Sequence, residues 1–530
     1  MQHCQQGQQC HSERSVWAKR GCSRVRVRPR AIAKRAWACM TLGALVSGSV
    51  TFAASPWSYD PHARPNGVRI ASLWSARIEP RTGIDEVVLS PELRAYEPRF
   101  GASLAASARW LAVGAPMDHD DGNLPGTVHL YSAEDRAPLV AHLHEVAHTD
   151  SPTGGDRFGI AVALRFADTA EPEVIIGCDT SDELLQDAGC VRLFRLESST
   201  LQAGAMLFSP RPEPDEAFGH ALAASESTIV VGAPRSDVVV VGEDANGEPN
   251  ARHFYDSGRV YVFTRSVQSG AWHVTASLER ETPESSAWFG NAVAVSGDWI
   301  AIGAPGSDVP DESGAHPTAM SVGEVTMFHR NADGAWKLHT TLRPPQSPQF
   351  ASFGSALAID GETLVIGAPG YTVPSEPREE SSAIGAAFVY RLSTATVELT
   401  QSIFAPDAGA STFFGLSLAL SKGHLLVGAP GASDTGQSSG AAWQFMRRER
   451  DAAFTPIARL RAQAAGEMFL LGSSAALLPN LAIVGRFNDE ESGHPRGSVH
   501  VFGLDSTAIA AHTATEAWRA DPQARNASDP

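Results

Sequence analysis

An all-β fold, a seven-bladed β-propeller of four-stranded antiparallel blades, is predicted for this 530-residue chain by three observations. A Phe-Gly pair followed by a Gly-Ala-Pro triplet, or a variant of it, recurs seven times. Each copy holds four short runs rich in β-branched and aromatic residues, separated by Gly, Asp and Ser. Gly and Pro are plentiful, 47 and 34, without a collagen-like period.

The repeat comes first because it sets the size of the unit. Phe-Gly stands at Phe100-Gly101, Phe158-Gly159, Phe218-Gly219, Phe289-Gly290, Phe353-Gly354 and Phe414-Gly415, with Leu471-Gly472 as a degenerate seventh. Gly-Ala-Pro follows at Gly114, Gly232, Gly303, Gly367 and Gly428. Copy two has Gly177-Cys178-Asp179 there, and copy seven has Gly485-Arg486-Phe487. Glycine-to-glycine spacing is 13 in six copies and 18 in copy two, and successive copies start 57 to 71 residues apart. Stacked units of this kind share one core, so the length does not imply several unrelated domains.

The strands follow. In copy four they are expected at Asn291–Val295, Trp299–Ile302, Gly323–Phe328 and Trp336–Leu342. The third run recurs as Gly126–Tyr131, Gly189–Phe194, Gly258–Phe263, Gly385–Tyr390, Gly440–Phe445 and Gly497–Phe502. The repeated Phe suits packing between blades, the Gly lets backbones approach closely, and the Pro ends the second strand. Copy seven lacks a fourth strand after Phe502, whereas Gly67–Leu73 and Asp85–Ser90 resemble third and fourth strands with no pair before them. An N-terminal strand near Asp85–Ser90 is therefore expected to complete the last blade, which leaves the ring without long exposed edges.

The ends read differently. Residues 1–55 carry nine of the 42 Lys and Arg and one acid, then an uncharged stretch over 36–53 and small residues at Ala53, Ala54 and Ser55. That is the pattern of a secretory signal peptide. The expected division is a targeting segment over 1–55, a linker over 56–66, the propeller over 67–510 and a disordered tail over 511–530. The mature chain is expected to be secreted, periplasmic or at the cell surface, with no membrane span. Beyond residue 55 there are 33 basic and 58 acidic residues, a balance that argues against nucleic acid as a partner. Cys4, Cys10, Cys22 and Cys39 fall in the removable segment; Cys178 and Cys190 remain, and in an exported chain they are expected to form one disulfide.

These phrases resemble the FG-GAP repeat family of bacterial type, whose best-known relatives are the integrin α-subunit propellers. The resemblance covers about residues 65–510 and implies the propeller far more firmly than any activity. Calcium-binding members carry an Asp-rich loop between the two halves of the phrase. Here that interval closes in tight turns such as Gly297-Asp298 and Gly361-Glu362, and the longer interval of copy two offers only Asp168, Glu171 and Glu173. Asp118, Asp120 and Asp121, with Asn123, are weak metal candidates in another loop; their spacing misses the EF-hand pattern, and a solvated turn is the preferred reading. No cofactor is expected.

Two long connections between second and third strands carry the candidate binding residues. Arg235–Ser257 offers Asp237, Asp244, His253 and Tyr255, and Gly306–Val322 offers Asp308, Asp311 and His316. His142, His144 and His148 lie around a fourth strand, where a surface or packing role is preferred to a metal site. No Gly-x-Ser-x-Gly elbow, His-Glu-x-x-His or phosphate-binding loop occurs. The reading is a non-enzymatic scaffold for adhesion that binds a protein or carbohydrate ligand. Its alternatives are a glycan hydrolase or lyase with a site on the propeller face or axis, and a structural envelope component.

Overall fold

A run such as Trp299–Ala304, apolar on both sides, is stable only between two strands that bury it, and all six of its residues are buried. In the computed structural model it is second in a sheet ordered Ala292–Ser296, Trp299–Ala304, Glu324–Arg330, Trp336–Leu342. The structure describes residues 86–89, 99–117, 126–132, 142–148, 155–166, 169, 171–197, 200–243, 249–310, 317–346, 348–372, 384–406, 411–433, 436–449, 452–462, 470–486 and 497–503. The N-terminal unit, Met1–Val68, and the tail lie outside them, as do the targeting segment and linker expected there.

Seven such antiparallel sheets make the seven blades, and no helix occurs among the described residues. Blade 1 begins at Ser103, blade 2 at Val162, blade 3 at Ala221, blade 4 at Ala292, blade 5 at Ala356, blade 6 at Ser417 and blade 7 at Leu471. The third strands start one residue after the predicted Gly in every blade, for example Arg259–Arg265 and Ala386–Leu392. Blade 7 closes as expected. Glu86–Leu89 pairs antiparallel with Ser498–Gly503, Glu86 opposite Phe502 and Leu89 opposite Val499. Leu89 is 2% exposed and packs in one cluster with Leu111 and Val113 of blade 1 and Ile483 of blade 7.

The phrase residues hold neighbouring blades together. All six Phe and Leu471 are fully buried. From Phe218 onward, each forms a parallel bridge to the Gly that opens the third strand of the preceding blade, as in Gly258 with Phe289. The Gly of Gly-Ala-Pro faces the next blade: a β-carbon on Gly303 would lie well inside the van der Waals radius of the Gly354 carbonyl oxygen. The second strands end at Ala115, Ala233, Ala304, Ala368 and Ala429, one residue before the Pro. One feature was not legible beforehand. The residue before each Phe (Arg99, Arg157, Ala217, Trp288, Ser352, Phe413, Leu470) is left-handed, with φ of 52–59°. No Gly or Asn marks these positions, where a side chain is uncommon.

Gly297-Asp298 and Gly361-Glu362 are two-residue turns, between Ser296 and Trp299 and between Asp360 and Thr363. In the longer interval of blade 2, Glu173 pairs with Arg165 at 2.9 Å and Glu171 with Arg195 at 3.5 Å, so both carboxylates face arginines. Asp168 and the cluster Asp118, Asp120, Asp121 and Asn123 lie outside the described residues.

Cys178 and Cys190 sit directly opposite each other on the second and third strands of blade 2, and both are fully buried. Their thiols are free in the structure, so the bridge expected from the sequence is not formed there. The register does set the pair face to face, and burial pushes the Cys178 thiol pKa up.

Candidate functional site

The connections from second to third strand leave the ring at one end, and those of blades 3 and 4 fold back on themselves. Val238–Glu243 and Pro249–Phe254 pair as a separate two-stranded sheet, and Val309–Pro310 pairs with Pro317–Ala319. The first connection was expected as a loop. Four consecutive valines followed by an alternating return strand make it a hairpin instead.

Asp237 and Asp308 occupy equivalent places at the two stems. The Asp256 amide donates to Asp237 Oδ1 at 2.9 Å, and the Ser321 amide donates to Asp308 Oδ1 at 2.7 Å. Their own amides donate to Glu213 at 2.9 Å and Glu284 at 2.7 Å. Both predicted binding residues are therefore engaged in pinning a hairpin to its blade. Burial raises the Asp237 and Asp256 carboxyl pKa values above their usual range.

Each stem is braced by an arginine–glutamate cluster of opposite sense. In blade 3, Arg259 opens the third strand; its Nε meets Glu279 at 2.7 Å, its Nη1 meets Glu213 at 3.0 Å, and its Nη2 donates to the Asp237 carbonyl at 2.6 Å. In blade 4 the same place holds Glu324, which takes Arg280 at 2.6 Å and Arg343 at 2.9 Å. Arg280 continues to Glu284 at 2.8 Å, and Arg343 donates to the Asp308 carbonyl at 3.1 Å. Acid and base exchange places between blades while the bridging is kept. Arg259 and Glu324 are buried, where charges are tolerated only when paired in this way. Sequence reading missed these clusters, although Glu213 and Glu284 both stand five residues before a Phe-Gly.

Beneath the blade 3 hairpin, Glu216 is fully buried and accepts from the Ser209 hydroxyl at 3.2 Å, the Ser236 hydroxyl at 3.1 Å and the Glu213 amide at 3.3 Å. Burial nevertheless pushes its pKa from 4.5 up to about 7. Between these values the folded chain holds the proton more tightly than the unfolded one. The stabilisation is present below pH 4.5 and lost as pH rises to about 7. Relative to the wild type, Glu216→Gln is expected to gain on the order of 3 kcal/mol as pH rises across this window. Urea unfolding of both proteins at the two ends of the window measures it; pH profiles that run parallel would contradict the assignment.

The outer part of the blade 3 hairpin is exposed. Val239 and Val241 are 47% and 68% exposed, and Tyr255 is 62% exposed with its ring stacked on His253 at 6.3 Å between centroids. Asp244, Asp311 and His316 lie outside the described residues, as do the side chains of His142, His144 and His148, whose backbone forms the fourth strand of blade 1. A different feature lies at the seam of blades 2 and 3. Asp179 replaces the usual Pro, is buried, and receives His220 Nδ1 at 2.8 Å and Arg157 Nη1 at 3.1 Å. These partners hold its carboxyl pKa low against the cost of burial. Among the described residues no group of three or more His, Cys, Asp or Glu is arranged to hold a metal ion.

An open cavity of about 530 Å³ at the axis is lined by first-strand residues of all seven blades, among them Leu104, Leu164, Ala223, Val293, Leu357, Leu420 and Leu477. Among the described residues, Lys422 is the one charged residue in that lining.

The FG-GAP repeat family model matches residues 272–316 and 397–445. Both segments begin at a fourth strand, cross a Phe-Gly and run on past a Gly-Ala-Pro, so each spans a joint between blades of the seven-bladed ring. These two segments are similar to FG-GAP repeats, and a seven-bladed ring is the fold such repeats form. No curated protein matches it. Among solved structures, a 6-phosphogluconolactonase candidate from Bacteroides uniformis ATCC 8492 is similar at 12% identity, over 71% of this chain and 88% of that one, with a TM-score of 0.42. No helix among the described residues is long and apolar enough to cross a membrane.

Proposed function

We propose that this FG-GAP propeller is an exported, non-enzymatic binding scaffold that takes a protein or glycan partner on the hairpins of blades 3 and 4. The observation that carries this reading is the pair of hairpins raised off the ring on stems braced by buried arginine–glutamate clusters. Rigid frames with differentiated loops are the usual arrangement of binding proteins. A hydrolase or lyase would need two carboxylates facing a deep pocket. Among the described residues the lining of the axial cavity includes no carboxylate, which speaks against a hydrolase or lyase site at the axis itself.

Affinity capture with residues 56–530 from culture supernatant and envelope fractions tests the proposal, alongside incubation with a glycan panel. Retention of a partner without product formation is expected; turnover of any glycan would contradict it. Because Tyr255 is exposed, Tyr255→Ala is expected to change stability by no more than about 0.5 kcal/mol while weakening capture.

The outward location and the cysteine pair belong together in this reading. In an oxidising compartment, Cys178 and Cys190 would close a short loop and contribute roughly 2–3 kcal/mol. Intact mass and thiol titration of protein purified from the envelope or medium, before and after reduction, check this. Two free thiols in the native protein would contradict it.

A further inference from the structure

We propose that the blade 3 hairpin is a strand-addition site, whose free edge along Val238–Glu243 takes an extended, basic-flanked segment of a partner polypeptide. This rests on the reading of that face as the binding face.

The backbone supplies the first argument. Among the described residues Val238–Glu243 pairs only with Pro249–Phe254, in a register running from Val238 opposite Phe254 to Glu243 opposite Pro249. Among the described residues, the backbone of Val238–Glu243 makes no hydrogen bond beyond that hairpin. Its outer edge thus presents donors and acceptors at strand spacing, which is what an added strand uses. A two-stranded ribbon alone is marginal in water, and a third strand relieves that.

The side chains supply the second. Paired residues of an antiparallel ribbon share a face, so Val239 and His253 lie together, as do Val241 and Ala251. Tyr255 continues that row two residues beyond His253 and stacks on it. The result is an exposed apolar and aromatic stripe beside an open edge, able to receive every second side chain of an incoming strand.

The comparison with blade 4 is the third. Its hairpin is shorter, and Pro310 and Pro317 stand opposite each other within it. Proline removes backbone donors and is a common way of blunting an edge. The blade 4 hairpin is blunted, whereas the first strand of the blade 3 hairpin opens on an unbroken run of four valines. Charge identifies the occupant. Asp237 and Glu243 bracket the valines, and the chain beyond residue 55 has 58 acidic against 33 basic residues. A second copy brings the same negative field, while a β-branched segment flanked by Lys or Arg complements it.

The test is fluorescence anisotropy with the synthetic peptide Lys-Val-Thr-Val-Thr-Val-Lys against residues 56–530. Saturable binding is expected, with amide hydrogen exchange slowed at Val239–Glu243. A peptide with Glu at both ends, and one with a central Pro, should each bind at least about tenfold more weakly. The variant Val239→Lys/Val241→Lys should lose at least about tenfold while melting like the wild type, since both residues are exposed. No binding to the wild type, or binding indifferent to the variant or to proline, overturns the proposal. A wild-type dimer in sedimentation that the variant dissolves also overturns it, in favour of a second copy. If this peptide fails but removal of both hairpins still abolishes partner capture, the binding face stands and strand addition falls.

Discussion

Deleting residues 60–95 is expected to lower the melting temperature by on the order of 10 °C, because the ring loses its clasp. Among the described residues only Glu86–Leu89 supplies the outer strand of blade 7, and it comes from the far end of the chain. Without it, Ser498–Gly503 becomes an open edge and the cluster joining Leu89 to Leu111, Val113 and Ile483 is exposed. The point substitution Leu89→Asp separates this effect from loss of length. It places a carboxylate at a site only 2% exposed and should by itself cost on the order of 3–5 kcal/mol. Differential scanning calorimetry measures both. An unchanged melt for the deletion would mean that the ring is closed in another way.

Gly303→Val should be at least as damaging, at about 4 kcal/mol or more. The new β-carbon would press on the backbone carbonyl of Gly354 in the neighbouring blade, and backbone at a blade joint cannot rotate aside as a side chain does. The same collision awaits a side chain at Gly177, Gly232, Gly367 and Gly428. Gly297 is the control. It lies in a tight turn with open space around it and φ of +56°, so Gly297→Asn should cost no more than about 1 kcal/mol. Equal losses at the two positions would show that glycine serves conformation there and not close approach.

The residues themselves explain how far the fold was legible beforehand. Buried Phe and unsubstitutable Gly recur at fixed spacing because each blade must present the same surface to the next. The repeat therefore encodes both the joint and the number of blades. Strand closure was readable because Asp85–Ser90 had no partner of its own. The left-handed residue before each Phe was not readable, since Arg99, Trp288 and Leu470 carry no local signal; tertiary packing imposes that turn. The stem clusters were also hidden. Arg259 and Glu324 look unlike each other in sequence, and only the fold shows that they stand in equivalent places with their partners' charges exchanged. Asp237 and Asp308 were picked out as loop acids, but their hydrogen bonds to Asp256 and Ser321 make them fasteners of the hairpins. His253 and Tyr255 do lie together and exposed on one hairpin.

The central claim is that the ring is a frame and the hairpins of blades 3 and 4 carry the binding. Replacing residues 239–253 and 309–319 by short Asn-Gly turns tests it most directly, with melting and partner capture measured on the same preparation. The account predicts a melting temperature within about 3 °C of the wild type, because the seven blades and their closure are untouched, together with loss of capture. Capture that persists undiminished on an intact ring would contradict it.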